Sequence, residues 1–161
     1  FIEHKLSSIL ANICQNTLKA KIVVEIAHAM KFIHKNGMIH RDLKIDNIML
    51  NSVFEVKLVD FGLIKIIENT IEGFNFVQDS MTRGVGTITY MSPEMLNEEN
   101  YDNKTDIYSF GVVLFFIFVG SLPRQHLRDV MSGRSISKFI TFNLAILYRF
   151  NIEMSITCSI R

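Results

Sequence analysis

Apolar residues in the segment Leu18–Lys35 recur at steps of three and four, which indicates a helix with one apolar face. The pair Asn36-Gly37 follows at once, and a glycine just after the last periodic residue is typical of a helix end. The run Lys104–Val119 is apolar on nearly all sides, which predicts a central buried helix. Its most apolar part, 107–119, is shorter than the roughly 20 residues of a membrane span, so we expect no membrane helix.

Two short apolar runs, Ile48–Leu50 and Val56–Val59, have the composition of β-strands, and Asn51-Ser52 between them suits a turn. Together they predict a β-hairpin. A short helix is predicted over Pro93–Leu96, because proline favours the first helical turn. The predicted fold class is therefore α+β and mainly helical, with short β-hairpins.

Two stretches show no clear period. Between residues 63 and 91, polar residues and glycine are scattered, and a long loop of this kind is usually functional. After Pro123 the pattern is ambiguous, and Phe139–Phe150 is compatible with either a helix or a strand. These stretches add no predicted element to the core.

Composition limits the classes of protein that need consideration. The chain has 161 residues, enough for one domain with a core, and 48% hydrophobic residues argue against disorder. A net charge of +1 predicts neither a nucleic-acid partner nor binding to an anionic membrane. Cys14 and Cys158 lack metal-ligand spacing, and the polar run Glu3-His4-Lys5 interrupts any secretory start. We therefore expect a reduced, cytoplasmic location.

The candidate chemistry lies in the run His-Arg-Asp-Leu-Lys-Ile-Asp-Asn, residues 40–47, and in Asp-Phe-Gly, residues 60–62. Together they supply a carboxylate, a lysine and two types of Mg²⁺ ligand, the set that phosphoryl transfer from ATP requires. In this order and spacing the two motifs resemble the signature of the eukaryotic protein kinases. The alternative, that Asp42 is a carboxylate on a surface turn, fits the combined motifs poorly.

The resemblance implies a role for each of five residues, with ATP and Mg²⁺ as cofactors. Asp42 would accept or orient the proton of the substrate hydroxyl, and Lys44 would neutralise the γ-phosphate. Asn47 and Asp60 would hold Mg²⁺ through hard oxygen atoms. Met49 would lie under the adenine, although a methionine that fills the core of a strand is an equal alternative.

Other residues would support the site. By resemblance, His40 and Phe61 would stack in an internal hydrophobic column, where ordinary core packing predicts the same arrangement, and Gly62 completes the second motif. Asp106 would bind the backbone of the catalytic loop. A favourable acid at the start of a helix is a compatible second interpretation of Asp106.

Regulation and substrate class rest on smaller signals. Arg41 could bind a phosphorylated Ser80 or Thr82, because arginine binds phosphate in a bidentate way, but plain loop polarity explains both hydroxyls equally well. Lys44, and Thr87 in its Gly-Thr pair, are similar to Ser/Thr kinases. The run of residues 106–114 is similar to the tyrosine-kinase-like group, which mostly phosphorylates serine and threonine.

The segment 86–94 resembles the end of a kinase activation segment, with Ser92 where alanine is usual. In the family, the glutamate at the place of Glu94 pairs with a buried arginine. Here Arg149 and Arg161 are candidates, but neither has a convincing context. Since the loss of one partner of a buried ion pair costs about 3–5 kcal/mol, a marginal fold is expected.

Several family features are missing from these residues. There is no Gly-x-Gly-x-x-Gly, no Val-Ala-Ile-Lys strand and no glutamate partner for its lysine. Leu6–Leu10 resembles the first helix of the large lobe. The expectation is a partial kinase domain over 1–161, clear over 1–123 and divergent over 124–161, without the small lobe. It predicts ATP-dependent phosphorylation of protein serine or threonine, inactive in this segment alone; the alternative is a non-catalytic binding or scaffold module.

Overall fold

The structure is a computed structural model that describes residues 3–13, 15–66, 87–97 and 100–121. The helices and strands follow one another in this order: β1 His4–Lys5, α1 Leu6–Ile9, a 3-10 turn at Leu10–Asn12, α2 Asn16–Lys35, β2 Met38–Ile39, a 3-10 turn at Ile45–Asn47, β3 Ile48–Leu50, β4 Val56–Leu58, β5 Lys65–Ile66, a 3-10 turn at Thr87–Tyr90, α3 Pro93–Leu96 and α4 Lys104–Val119.

The predicted helices are confirmed. Helix α2 begins two residues earlier than predicted, at Asn16, while α3 and α4 have the predicted bounds. After α2 the chain turns at Gly37, whose φ of 68° suits a residue without a side chain. The predicted periodicity of α2 corresponds to its buried face: Ile22, Val23, Ile26, Met30 and Ile33.

The predicted hairpin is also confirmed, and it is part of a three-stranded antiparallel sheet with the order β1-β3-β4. Ile48 pairs with Leu58, and strand β4 ends at Leu58 and excludes the predicted Val59. A second antiparallel pair joins Met38 of β2 to Ile66 of β5. The sequence pattern missed β5, because a two-residue strand is too short to show a period.

Helices α2 and α4 pack together, and their apolar faces form one core with residues from the 40–50 segment. Leu43, Ile45, Ile48 and Leu50 are almost completely buried in this core. Burial of side chains of this size stabilises the fold by about 1.5–3 kcal/mol each. The candidate catalytic loop therefore lies directly on the larger of the two core clusters in the described residues.

The coarse fold class, mainly helical with a few short strands, agrees with the prediction. Within the described ranges no helix combines the length and the apolar character that crossing a membrane requires. The segment 124–161 lies outside the described residues, and so do Phe139–Phe150 and the candidates Arg149 and Arg161.

Candidate active site

Asp42 lies in the loop between β2 and the 3-10 turn Ile45–Asn47, and only 6% of its surface is exposed. Its Oδ2 atom accepts hydrogen bonds from Lys44 Nζ at 2.5 Å and from Asn47 Nδ2 at 2.9 Å. Its Oδ1 atom is buried and has no hydrogen-bond partner among the described residues. Asp42 therefore has one oxygen held by neighbours and one left without a partner among the described residues, which is unusual because buried polar atoms normally have partners.

Asn47 is held in one orientation by the same loop. Its Nδ2 group donates to the backbone carbonyl of Asp42 at 2.9 Å as well as to the Asp42 carboxylate. With both amide hydrogens engaged, the side-chain oxygen is the remaining functional atom. The Asn47 carbonyl also accepts a hydrogen bond from Val59 N at 3.0 Å, and this bond fastens the residue before Asp60 to the catalytic loop.

Asp60 follows the end of β4 in a left-handed backbone conformation, with a φ of 64°. Residues other than glycine rarely adopt this conformation, and such residues cluster at functional sites. A Cβ atom at Gly62 would lie 3.3 Å from Asp60 Oδ1, tighter than most contacts of a real Cβ. Glycine at position 62 therefore leaves room for the Asp60 carboxylate, which lies on the exposed side of the turn.

His40 joins the two motifs. Its side chain is fully buried, its Nδ1 accepts a hydrogen bond from Asp42 N at 3.3 Å, and its ring centroid lies 5.5 Å from that of Phe61. Burial lowers the pKa of His40, and the carboxylates of Asp106, Asp42 and Asp60 oppose this shift. The hydrogen bond from Asp42 N and the ring contact with Phe61 show that the Asp42 loop and the Asp60 turn both contact this imidazole.

Asp106, in the first turn of α4, is completely buried and binds the backbone of the catalytic loop. Its Oδ2 atom accepts from His40 N at 2.8 Å, and its Oδ1 atom accepts from Arg41 N at 2.9 Å. Arg41 has a φ of 66°, a left-handed conformation that costs an ordinary residue about 1–2 kcal/mol. The two hydrogen bonds to Asp106 offset this cost and hold the loop in shape.

His34 is a residue of this site to which the sequence analysis assigned no role. Its Nε2 atom lies 2.8 Å from Asp106 Oδ2, so the carboxylate has a third partner. One sequence signal could have found it: His34 follows Ile33 and lies four residues after Met30, both on the buried face of α2. A polar residue at the edge of an apolar stripe often has a buried partner.

The guanidinium of Arg41 contacts two further segments. Its Nε donates to the carbonyl of Leu63 at 2.5 Å, and its Nη1 donates to the hydroxyl of Tyr101 at 3.1 Å. Ser80 and Thr82, the predicted carriers of a phosphate for Arg41, lie outside the described residues. That pairing stays a prediction.

The segment after residue 86 is fastened to α4 by buried hydroxyl groups. Ser92 Oγ lies 2.7 Å from Thr105 Oγ1, and both residues are completely buried. Ser109 Oγ donates to the carbonyl of Tyr90 at 2.7 Å. These contacts fix the end of the segment relative to the helix that carries Asp106.

The remaining predicted residues lie in three other elements. Met49 is half-buried in the central strand β3. Thr87 begins the 3-10 turn Thr87–Tyr90, and its side chain lies outside the described part. Glu94 lies in α3, where its carboxylate adds to the effect of burial in raising the pKa of Tyr108. No arginine partner of Glu94 is found among the described residues.

The donor set fits Mg²⁺ better than a transition metal. The described residues contain no cluster of three histidine, cysteine or acidic side chains that could hold a metal alone. Mg²⁺ needs less from a protein, because it keeps water and phosphate oxygens and uses one or two side-chain oxygens. The amide oxygen of Asn47 and the carboxylate of Asp60 are oxygen donors of this type.

The known proteins to which this chain is similar are protein kinases. A family model described as "Protein kinase domain" matches residues 3–159. A probable serine/threonine-protein kinase of Dictyostelium discoideum is 36% identical over 120 residues, covering 74% of this chain and 12% of that protein. LysM domain receptor-like kinase 3 of Arabidopsis thaliana is 42% identical over 106 residues, covering 64% of this chain and 16% of that protein.

Serine/threonine-protein kinase STY46, also of Arabidopsis thaliana, is 34% identical over 113 residues, covering 70% of this chain. The matched segments span 12% to 18% of the length of these three relatives.

Proposed function

The chain belongs to the protein kinase family, and we propose that residues 40–62 form the phosphotransfer centre of an ATP-dependent protein serine/threonine kinase. The observation that carries this proposal is the divided environment of the Asp42 carboxylate. One of its oxygens is held by Lys44 and Asn47, while the other is buried without a partner among the described residues.

This arrangement suits the transfer step. Asp42 Oδ1 would accept the hydrogen bond, and then the proton, of a substrate hydroxyl as the oxygen attacks the γ-phosphorus of ATP. The bond from the γ-phosphorus to the β,γ-bridging oxygen breaks, and ADP leaves. Lys44, fixed 2.5 Å from the other Asp42 oxygen, places a positive charge beside the transferred group.

Asn47 and Asp60 would hold Mg²⁺, which when bound would neutralise charge on the ATP phosphates. Contacts within the chain already orient both side chains. Asn47 is oriented by its two hydrogen bonds to Asp42, and Asp60 is directed by its left-handed backbone and by the space above Gly62.

Serine and threonine are the proposed acceptors. The support is the similarity of Lys44 and of the Gly86-Thr87 pair to Ser/Thr kinases, together with the printed descriptions of two relatives. The tyrosine-kinase-like subgroup stays a prediction from the run at residues 106–114.

We further propose that residues 1–123 correspond to the large lobe of the family and that this segment alone transfers phosphate poorly. These 161 residues contain neither a Gly-rich phosphate loop nor a Val-Ala-Ile-Lys strand, and both contribute to holding the ATP phosphates. Activity should therefore be measured on the protein encoded by the complete reading frame that contains these residues.

The decisive experiment compares Asp42→Asn with Asp102→Asn in that protein. Asp42→Asn keeps the shape of the side chain but removes its basic oxygen, so we expect kcat to fall by about 10²–10⁴-fold with nucleotide affinity retained. Asp102, whose carboxylate caps Lys104 N at 2.8 Å, is the control and should keep full activity. Transfer of γ-phosphate to serine peptides is the measurement, and undiminished turnover by Asp42→Asn would contradict the proposal.

A further inference from the structure

Tyr101 is a buried tyrosine to which neither the motifs nor the proposed chemistry assigns a role. Only 4% of its surface is exposed, and it packs in a small core cluster with Ile39, Met91 and Met95. The polar end of this otherwise apolar side chain accepts a hydrogen bond from Arg41 Nη1 at 3.1 Å. A buried tyrosine hydroxyl normally has a hydrogen-bond partner, and here the partner is the side chain next to the candidate catalytic residue.

Arg41 transmits this contact to two parts of the site. Its backbone N–H is held by Asp106 Oδ1 at 2.9 Å, while its Nε holds the carbonyl of Leu63 at 2.5 Å. Because the guanidinium is planar and rigid, a bond at Nη1 and a bond at Nε fix each other's direction. Arg41 therefore connects Tyr101, three residues before α4, with Leu63, just after Gly62.

The contacts from Tyr101 through Arg41 to Leu63 end near Asp60, the proposed Mg²⁺ ligand. Leu63 lies three residues after Asp60, and the turn between them is also held by the ring contact of Phe61 with His40 and by the pairing of β5 with β2. Asp60 has a strained φ of 64°, and Phe61 is 51% exposed. Ile64 N donates to the Phe61 carbonyl at 3.2 Å, and the bond from Arg41 to Leu63 fastens this turn to the catalytic loop. The bond from Arg41 to Leu63 is therefore one of the contacts that hold the turn carrying Asp60.

We propose that Tyr101 is a positioning residue that acts through Arg41 on the Asp60-Phe61-Gly62 turn and so sets how readily the site takes up Mg²⁺. The proposal rests on the proposed function, since it concerns the same centre. It differs from a purely structural role in one respect. Loss of the hydroxyl should change the dependence on Mg²⁺, whereas a weakened core would lower activity at every Mg²⁺ concentration alike.

The test is a Mg²⁺ titration of the protein encoded by the complete reading frame, followed both by phosphotransfer at saturating peptide and by the rise in unfolding temperature that bound Mg²⁺ produces. Tyr101→Phe keeps the ring in its core cluster and removes the hydroxyl. We expect the Mg²⁺ concentration for half-maximal rate to rise about fivefold or more, the order of one lost hydrogen bond, with the KM for peptide unchanged. Tyr108→Phe, on α4 and outside the site, is the matched control and should titrate like the wild type.

A double-mutant cycle identifies the route. Arg41→Lys should shift the Mg²⁺ dependence in the same direction, because lysine lacks the planar fork that reaches both Tyr101 and Leu63. If Tyr101 acts through Arg41, the double variant should show no more than the larger single shift. Additive shifts would overturn the proposed route through Arg41. If Tyr101→Phe does not fold, Arg41→Lys still tests the proposal, and an unchanged Mg²⁺ dependence in Arg41→Lys would overturn the proposal.

Asp42→Asn, measured in parallel, separates this inference from the proposed function. An active Asp42→Asn protein would remove the proposed catalytic role itself. If instead Asp42→Asn is inactive while Tyr101→Phe retains the wild-type Mg²⁺ dependence and thermal stability, only the positioning role of Tyr101 fails.

Discussion

The imidazole of His34 meets the carboxylate of Asp106 at the end of helix α2, with 2.8 Å between Nε2 and Oδ2. The contact joins the C-terminal turn of one main helix to the N-terminal turn of the other, 72 residues apart in the chain. The same carboxylate holds the backbone of His40 and Arg41. The contact between α2 and α4 is therefore linked through Asp106 to the backbone of the candidate catalytic loop.

This relationship predicts a selective rescue at position 34. His34→Leu should lower the free energy of unfolding by about 1–3 kcal/mol, because the fully buried Asp106 loses a partner and stays desolvated. His34→Gln places an amide N–H at a similar reach and should recover most of the loss. Urea unfolding of the three proteins measures the effect. Equal stability of the leucine and glutamine variants would show that the hydrogen bond contributes little.

Gly62→Ala should affect the Mg²⁺ site and leave the fold nearly unchanged. The new methyl group would lie 3.3 Å from Asp60 Oδ1 and push the carboxylate aside, so phosphotransfer should require a higher Mg²⁺ concentration. Gly120→Ala is the matched control. Gly120 has a φ of 82° with no atom within 4 Å of a new Cβ, so alanine there should cost about 1–2 kcal/mol of stability and leave the Mg²⁺ dependence unchanged.

Thermal unfolding together with a Mg²⁺ titration distinguishes the two glycine variants. We expect Gly62→Ala to change the Mg²⁺ dependence and not the stability, and Gly120→Ala to change the stability and not the Mg²⁺ dependence. A Gly62→Ala protein with normal Mg²⁺ dependence would show that the Asp60 carboxylate tolerates displacement and is not held by this close approach.

Stability should fall in mild acid, and His40 should contribute to the fall. Burial lowers the pKa of His40 below 6.5, so the unfolded chain binds a proton that the folded protein resists. The stability linked to this residue is complete above pH 6.5 and is lost as the pH falls toward the folded pKa. Urea unfolding at about pH 7.5 and about pH 5.5 should show a smaller difference in His40→Phe than in the wild type.

His28→Phe controls for the loss of any histidine, because His28 lies on the exposed side of α2. It should retain the wild-type dependence on pH. If His40→Phe and His28→Phe respond to pH equally, the buried imidazole is not a source of the acid sensitivity.

Ser92 and Thr105 should show strong coupling in a double-mutant cycle. Ser92→Ala, which restores the residue usual in the family, leaves the Thr105 hydroxyl buried without its 2.7 Å partner and should cost about 1–3 kcal/mol. Adding Thr105→Val removes the second hydroxyl with little change of shape. The double variant should then be no less stable than Ser92→Ala, as measured by urea unfolding. Simple additivity of the two losses would contradict a direct bond.

Part of the site was readable because its chemistry is local. The run at residues 40–47 and the Asp-Phe-Gly turn carry their residue types at short spacing, so their resemblance to the kinase signature was enough to predict Asp42, Asn47 and Asp60 as site residues. It could not show that one Asp42 oxygen is held while the other is left without a partner. That division depends on where Lys44 and Asn47 point after the loop has folded onto the core.

The sequence by itself determined the two main helices and the central hairpin, because the periods of three to four and of two record which side of each element is buried. Only the tertiary structure decided the partners of His34 and Tyr101, which bond to residues 72 and 60 positions away. Contacts at such distances leave no period in either segment. They arise when apolar burial brings distant polar groups together, and the cost of leaving such groups unpaired then selects their hydrogen bonds.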